Sequence, residues 1–496
     1  MAHLPAEIIV LIGKAADPAT RLALLQVCRG WRSMFFQLAY SKVHVKGGRL
    51  SHLVRSIHSN PEIASVIETL SLSEMDMTVM PAANDPAWVQ GRVRQYSQST
   101  DEFEQWLKSI SVGSSDHWCA LLLYLLENPI ELHLEYPTLA SFTRQILSLA
   151  SRRRAVDTKP ALKRLQKVAV DLPRRRFLIP SRDVFPFFYL PSIRSVSATG
   201  LIDDDYSSVT GSALSAPPSS TMEEIKLACI CDGGFKMPAY IKSCTNLKSF
   251  SFENLHRISF RAPRDRFLRE EFYIPLLTQK HSLEVLNLNY LGVAHDDEYD
   301  DDPERDAITD PEPYDRWLGS FANFTRLAKI SMRAPNLLNF VMREGAAQLR
   351  SSPVDTLPKS LEFLEISYLC GFHLDAVLNG LNEMFGVRTD RFPNLKKVTI
   401  CYQGPQVKVL YYQIKLIEQL ESGFKEAGIE VEITNKNLPN SYSPNPFAMP
   451  AFPTEDITFH NGIASFGGMP IIDGMTGMPV MHAMPNMPNM YDDDVF

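Results

Sequence analysis

The residues that could carry catalysis or bind a metal are few in this sequence and lie far apart. The closest cysteines are Cys229 and Cys231, with Cys244 further along. A structural zinc site needs a tetrahedral set of thiolates or imidazoles, and neither a second cysteine pair nor a nearby histidine completes one here, so buried thiols are favoured. His117 and His133 stand alone, and no nucleophile-elbow, Walker, zincin or Rossmann motif is present. We predict no enzyme activity, metal or cofactor.

An acidic run over residues 296–306 is the other candidate for metal binding. It holds eight Asp or Glu residues. An EF-hand loop needs a glycine at its sharp turn and a glutamate at its end, and this run has no such glycine. A solvated acidic loop is therefore favoured over a calcium site.

Methionines recur at every third position near the end of the sequence, at Met475, Met478, Met481, Met484, Met487 and Met490. A polyproline II helix has three residues per turn, so it would align these thioethers along one edge. Such an edge suits Cu(I) or a hydrophobic groove, but a low-complexity tail is the favoured interpretation.

A basic cluster over residues 152–176 contains ten Lys or Arg residues. Clusters of this kind are typical of nuclear-import signals and of phosphate-binding patches. A solvated flank of a repeat would show the same composition. The sequence leaves these interpretations open.

The elements that must position any functional residue come from a repeated L-x-x-L-x-L pattern. Strong matches begin at Ile67, Leu165, Ile193, Met222, Leu247, Leu283, Leu327, Leu361 and Leu395, and weak ones at Tyr40 and Pro129. The alternation predicts short strands, and helix-like segments follow at 118–126, 376–385 and 411–424. Strand and helix stacked many times predict an irregular α/β solenoid with a parallel sheet. An ordinary α/β domain is the alternative.

Polar side chains between and after the apolar positions would share the concave face of such a sheet. Concave solenoid faces bind extended partners, so this row is the predicted substrate-binding surface, although a merely solvated face has the same pattern. The candidates are His133, Glu135, Asp171, Lys226, Glu253, Asn287, Asn289, Arg333 and Glu365.

Residues 1–45 form a different kind of segment, with three short predicted helices. Pro5 and Glu7 favour the start of the first, and Gly13 is expected to end it. Asp17 is the expected N-cap of the second, with Pro18 in its first turn. The third covers about 29–39, and a strand-like stretch follows at 40–45. So short a segment cannot bury all its apolar side chains alone, so some should face a partner or the next domain.

This segment resembles an F-box. The resemblance is carried by Leu4-Pro5-x-Glu7-Ile8-Ile9, Asp17-Pro18 and Leu24-x-x-Val27-Cys28-Arg29-x-Trp31-Arg32. It implies binding to the Skp-type adaptor of a cullin–RING ubiquitin ligase, with apolar side chains docked in a groove. By position, the implied adaptor-binding residues are Leu4, Pro5, Ile8, Leu24, Val27, Cys28 and Trp31.

The repeats that follow resemble the degenerate leucine-rich repeats found after F-boxes in many fungal proteins. The predicted organisation is therefore an F-box-like domain over 1–45, a repeat solenoid over 46–433 with inserted loops near 74–105 and 292–316, and a disordered tail over 434–496. Pro, Asn, Gly and Met dominate that tail.

Composition limits the class of partner and the cellular compartment that we expect. The net charge of −7 does not favour nucleic acid as the main partner. Seven scattered cysteines form no disulfide framework, which fits the cytoplasm or nucleus. The apolar run at 8–12 is too short to span a membrane and has no basic lead-in, so neither a signal peptide nor a membrane helix is expected.

These observations predict a substrate-recognition adaptor of an SCF-type ubiquitin ligase. The F-box-like domain over 1–45, which we call the head, would bind the Skp-type adaptor, and the repeats would bind a protein target. Cullin and RING subunits would be reached through that adaptor. The alternative is a non-catalytic scaffold that acts outside a ubiquitin ligase, in which the head only caps the solenoid.

Overall fold

The computed structural model divides the chain into two compact units, residues 1–439 and 440–496. The described residues are 5–75, 87–97, 99–137, 140–151, 162–172, 178–202, 220–229, 237–254, 269, 272–290, 317–343, 346–369, 371–402, 411–435, 457–460 and 463–466. None of the helices in these residues combines the length and the apolar character that a membrane span requires.

The first unit is built on one parallel sheet of thirteen strands. Its strands are β1 (Lys42–Lys46), β2 (Thr69–Ser73), β3 (Glu131–Glu135), β4 (Lys167–Asp171), β5 (Ile179–Pro180), β6 (Ser195–Ile202), β7 (Glu224–Cys229), β8 (Ser249–Asn254), β9 (Val285–Tyr290), β10 (Lys329–Arg333), β13 (Phe363–Leu369), β14 (Lys397–Tyr402) and β15 (Glu430–Asn435). Each pairs with its neighbour along the chain, except that β5 lies on an extension of β6 and that β10 pairs with β13. The predicted α/β fold with a parallel sheet is therefore confirmed.

Helices connect most of these strands. They are α1 (Ala6–Ala15), α2 (Pro18–Leu24), α3 (Arg29–Tyr40), α4 (Leu50–Ser59), α5 (Glu62–Val66), α6 (Ala87–Tyr96), α7 (Thr100–Ser111), α8 (Ser115–Leu125), α9 (Ser141–Ser151), α10 (Ser181–Val184), α11 (Met237–Ser243), α12 (Tyr273–Leu277), α13 (Ala334–Leu337), α14 (Pro353–Thr356), α15 (Gly371–Gly386), α16 (Arg388–Arg391) and α17 (Tyr411–Glu426), with 3-10 turns at Gly47–Arg49 and Phe185–Tyr189. The three helical segments predicted from sequence correspond to α8, α15 and α17. A short antiparallel pair, β11 (Phe340–Arg343) and β12 (Ala346–Leu349), lies between β10 and β13.

The sheet is held in register by its apolar side chains. Phe250, Leu286 and Ile330 are paired at one level of three neighbouring strands, and all three are buried. The third apolar position of each strong motif match, two residues further along, forms another buried row. All the strong motif matches are strands, and so are both weak ones, since β1 and β3 join the sheet.

One strand of the sheet, β15, does not match the L-x-x-L-x-L motif. In β15, Val431 and Ile433 continue the two apolar rows, but the first apolar position of the pattern is Gly428. That glycine has φ +74° and ends α17, with Ile429 donating from its backbone N–H to the Phe424 carbonyl. The left-handed helix end requires a glycine where the motif has leucine, which hides the last repeat.

The predicted inserted loop at 74–105 contains helical structure. Helix α6 lies inside it, and α7 begins there with Ser99 as the N-cap that accepts from Glu102 N–H. Val89 and Val93 of α6 are fully buried. Helix α6 ends at Tyr96 and α7 begins at Thr100, so the prediction of a simple loop is wrong for the described residues between 87 and 105. Residues 76–86 lie outside the described residues.

The head consists of α1, α2 and α3, as predicted, but α1 continues through Gly13 instead of ending there. A Cβ atom at Gly13 would lie 2.2 Å from the Phe35 ring, so this glycine allows two helices to approach closely. Asp17 is the N-cap of α2, accepting from Thr20 N–H at 2.9 Å. Arg21 donates to the carbonyls of Gly13 and Lys14 and so ties α2 to the end of α1.

The predicted boundary after residue 45 falls inside β1, which pairs with β2 along its whole length. The strand therefore belongs to the sheet. In the second unit, Ile457–His460 and Ile463–Phe466 form an antiparallel hairpin (β16 and β17), an exception to the predicted lack of regular structure in the tail. The acidic run, the methionine series and both arginine triplets of the basic cluster lie outside the described residues.

A buried polar group sits among the rings beneath the first repeats. The His117 side chain contacts Phe142 and Trp106, with ring centroids 3.9 and 5.4 Å away, and neither of its nitrogens has a hydrogen-bond partner. Burial lowers the pKa of His117 to about 3. The adjacent Asp116 accepts the backbone N–H groups of Phe142 and Thr143, which caps α9 from another helix.

We expect Leu286→Ala to lower the free energy of unfolding by about 3–5 kcal/mol, because it removes a fully buried side chain between two occupied neighbours. Urea denaturation measures this. The control is Lys226→Ala, an exposed position on the opposite face of the sheet, for which we expect a change of under about 0.5 kcal/mol. Equal effects of the two substitutions would contradict the described register.

We also expect stability to fall with pH below the ordinary His pKa of 6.5, because the unfolded chain then binds a proton that folded His117 excludes. The loss begins as pH falls through 6.5 and continues towards the folded pKa of about 3. Its slope approaches about 1.4 kcal/mol per pH unit for this one group. In His117→Phe the slope should be smaller by that amount between about pH 6 and pH 5. An unchanged slope would exclude His117 as the cause, and His133→Phe, at a partly exposed site, is the matched control.

Candidate functional site

The face of the sheet that lies opposite the buried apolar rows is the candidate site, and we call it the open face. Its middle row consists of the residues between the two buried positions of each strand. Register pairing aligns His133, Lys226 and Glu365 in this row. The structure places all nine predicted substrate-binding residues on the open side of their strands. Their part in binding remains a prediction.

Arg333 differs from the other eight because only 6% of it is exposed. It is the last residue of β10, and α13 follows it immediately. Its charge is one cause of the lowered pKa of buried His373, after burial itself. Arg333 is thus part of the protein interior rather than an accessible binding residue.

The predicted residues on the first repeats are engaged with near neighbours. His133 Nε2 lies 3.3 Å from Glu131, within its own strand. Glu135 accepts the Glu74 backbone N–H at 2.6 Å, and Asp171 accepts the Thr199 hydroxyl at 3.3 Å. These contacts are separate, so the structure does not gather them into one site.

The residues on β8 to β14, in contrast, form one connected network. The amide nitrogen of Asn287 donates to Ser251 at 3.1 Å and to Glu253 at 3.2 Å. The amide nitrogen of Asn289 donates to the Asn287 oxygen at 2.6 Å and to the Ser331 hydroxyl at 2.9 Å. Both N–H hydrogens of each asparagine are therefore used inside the protein.

The network continues across the next strands. The Ser331 hydroxyl donates to Glu365 at 2.9 Å, and the Ser367 hydroxyl donates to Asn289 at 3.0 Å. The Cys401 thiol lies 3.6 Å from the other Glu365 oxygen. The result is a polar floor whose side chains hold one another in fixed positions.

A concavity of about 560 Å³ lies on this floor, and we call it the groove. Its size is in the range of sites that enclose a small molecule or a few residues of a peptide. Its lining residues are Glu253, Val285, Leu286, Asn287, Asn289, Lys329, Ile330, Ser331, Phe363, Leu364, Glu365, Lys397 and Thr399.

Four of the lining residues form a row that the sequence analysis did not predict. Val285, Lys329, Phe363 and Lys397 are paired at the same level of neighbouring strands, two residues before the middle row. The same period-two alternation, extended towards the start of each strand, would have found them. They add an apolar and cationic side to an otherwise polar groove.

The two lysines of this row differ in their surroundings. Lys397 Nζ bridges Glu430 at 2.7 Å and Glu432 at 2.8 Å. These hydrogen bonds raise the pKa of Lys397, and the bond to Glu430 contributes most. Lys329 Nζ instead lies 4.8 Å from the centre of the Phe363 ring, a cation–π contact. It has no carboxylate at ion-pair distance among the described residues.

Nothing in the described part of the chain brings three or more His, Cys, Asp or Glu residues together for a metal ion. Burial raises the pKa of the Cys244 thiol to about 12, which disfavours the thiolate form that binds zinc. Cys229 and Cys244 are buried, as the sequence analysis favoured for these thiols, and Cys231 lies outside the described residues.

The head carries a second candidate surface. Ile8 is 42% exposed and Val27 is 60% exposed, while Leu24 is partly buried and Pro5 is exposed. The exposed Cys28 has a structural part as well, because its sulfur accepts the Trp31 N–H at the start of α3. Leu4 lies outside the described residues.

Trp31 is only partly exposed, and its ring packs edge-on against Phe35 at 5.6 Å. Three apolar side chains that the sequence analysis did not name are also exposed beside the predicted ones. These are Leu11, Ile12 and Leu22, and the exposed fraction of each is over 40%.

Comparison with known protein families agrees with the geometry of the sheet. The family model described as a leucine-rich repeat domain matches residues 42–434. That match begins at the first residue of β1 and ends within β15. The comparison with curated proteins finds no match. Leucine-rich repeat domains are generally protein-interaction modules without catalytic activity of their own. The parallel sheet, its stacked apolar rows and the family match together show that the chain belongs to the leucine-rich repeat domain family.

Proposed function

We propose that the protein is the substrate-recognition subunit of an SCF-type cullin–RING ubiquitin ligase, without catalytic activity of its own. In this proposal the head binds the Skp-type adaptor, which connects it to the cullin and RING subunits. The open face of the repeat sheet binds the protein that is to be ubiquitinated. A cytoplasmic or nuclear location goes with this proposal.

The observation that carries the proposal is the apolar surface of the head. Nine large apolar side chains are exposed in the described part of the chain, and five of them lie between residues 8 and 27. A cluster of exposed apolar side chains on one small unit is typical of a protein-binding surface. The five are Ile8, Leu11, Ile12, Leu22 and Val27.

The head also packs against the repeat unit, which is what the alternative, a scaffold with a purely structural head, would require. Phe36 and Tyr40 of α3 pack against the core of the repeat unit, so α3 covers the start of the sheet. A scaffold with a purely structural head would show the same contact. It would not need the exposed side chains on α1 and α2, which face away from that core.

We expect Val27→Asp to weaken binding of the purified Skp-type adaptor to the full-length protein by at least about thirtyfold. A charge would then replace an apolar contact, and residues that anchor an interface contribute about 2 kcal/mol or more. Isothermal titration calorimetry measures the affinity, and thermal unfolding confirms that the variant is folded. Ile8→Asp should act in the same direction.

The matched control is Val112→Asp, because Val112 is 67% exposed but lies far along the chain, at the end of α7. It should leave adaptor binding unchanged. Adaptor binding that survives both head substitutions would rule out docking through the head and favour the scaffold. Trp31→Ala is a poorer test, because loss of the Phe35 contact would also loosen the fold of the head.

A further inference from the structure

The groove on β8 to β14 has two charged groups to which the described residues offer no ion-pair partner. Lys329 is exposed, and its ammonium group has the Phe363 ring beside it instead of a carboxylate. Glu253 accepts one hydrogen bond, from Asn287, and no cation lies at ion-pair distance from it among the described residues. A positive and a negative group thus stand at different ends of one cavity.

The two asparagines and Ser331, which lie between these two groups, have their hydrogen-bond donors already engaged. Every amide N–H of Asn287 and Asn289 is donated to a neighbouring side chain, and so is the Ser331 hydroxyl. A ligand that took one of these donors would have to break an existing bond. Selectivity therefore falls to the charged ends and to the apolar surface of Val285 and Phe363.

The distance between the two charged residues determines how long a bound segment must be to reach both. Lys329 is level with Ser249 of β8, two strands away, and Glu253 lies four residues further along β8. Strands about 4.8 Å apart and a rise of about 3.3 Å per residue place the two Cα atoms roughly 16 Å from each other. An extended peptide covers that distance in about five residues.

We propose that the groove binds an extended segment of a partner protein in which an apolar residue and an acidic residue stand together and a basic residue follows about five positions away. The apolar side chain contacts Phe363 and Val285, the acid pairs with Lys329, and the base pairs with Glu253. This inference rests on the proposed function in one respect, that the open face binds a protein segment, and it names the class of segment.

The acidic group is assigned as a carboxylate rather than a phosphate. A phosphate carries nearly two negative charges and is typically held by clustered arginines or a helix N-terminus. The groove offers one uncommitted lysine, since Lys397 is already bridged by Glu430 and Glu432. The geometry points to recognition that does not depend on phosphorylation.

Fluorescence anisotropy with the full-length protein tests the proposal. The probe is a labelled ten-residue peptide with leucine and aspartate side by side, arginine five residues after the aspartate, and serine or threonine elsewhere. A control peptide of the same composition has the arginine next to the aspartate. We expect the spaced peptide to bind at least tenfold more tightly than the control peptide, and equal or absent binding would overturn the proposal.

Three variants of the protein locate the binding. Lys329→Glu should weaken binding of the spaced peptide at least tenfold, whereas Lys167→Glu should leave it unchanged. Lys167 is exposed on the same face but is neither a predicted binding residue nor part of the groove, so it controls for the overall charge. The double variant Lys329→Glu with Glu253→Lys should instead prefer a peptide whose acid and base are exchanged. Equal effects of the two single variants would contradict the proposal.

A third peptide, with phosphoserine in place of the aspartate, tests the assignment of the acid. Binding no tighter than that of the aspartate peptide supports a carboxylate, and tenfold tighter binding overturns it. Adaptor binding is measured on the same variants. If Lys329→Glu keeps adaptor binding but does not change peptide binding, the groove inference fails alone, whereas loss of the head interaction is judged by Val27→Asp.

Discussion

The structure depends on one constraint, which is that the inward side chains of every strand must meet those of the next strand at the same level. Because side chains alternate along a strand, a slip of one residue would carry a whole apolar row to solvent. The buried rows through Phe250, Leu286 and Ile330 therefore fix the register of the entire sheet. The open face has the same register, so the buried side chains determine which polar residues, far apart in the sequence, lie side by side.

This constraint explains what could be predicted from sequence. Nine strands follow from the motif, because apolar side chains at fixed spacing are the requirement for stacking. The failures occur where local backbone geometry outweighs the pattern. Gly428 occupies the leucine position of the last repeat because a left-handed helix end needs it, and Gly13 lies inside a helix because a ring occupies the space of its side chain. The sequence pattern shows neither the backbone angle of Gly428 nor the Phe35 ring against Gly13.

The sequence predicted which face of the sheet carries the candidate site, but not how the side chains on that face contact one another. Alternation placed Asn287, Asn289 and Glu365 on the open side, but it could not show that Ser331 joins them in one hydrogen-bonded network. Nor could it show that Lys329 and Glu253 have no ion-pair partner among the described residues. It also could not show that Arg333 is buried, since burial there comes from the helix that follows the strand. Side-chain networks depend on distances that a one-dimensional pattern does not contain. The role of the open face is accordingly argued from the structure.

The close contact between Gly13 and Phe35 has a thermodynamic consequence. It joins the helix that displays apolar residues to α3, which packs on the start of the repeat sheet. A partner that binds only the folded head must then stabilise the folded state by its own binding free energy, about 2.7 kcal/mol when present at a hundred times its dissociation constant. Because solenoids are stabilised mainly by nearest-neighbour interfaces, most of that gain falls on the first repeats. The lifetime of the N-terminal repeats against unfolding and proteolysis thus becomes a measure of occupancy at the head.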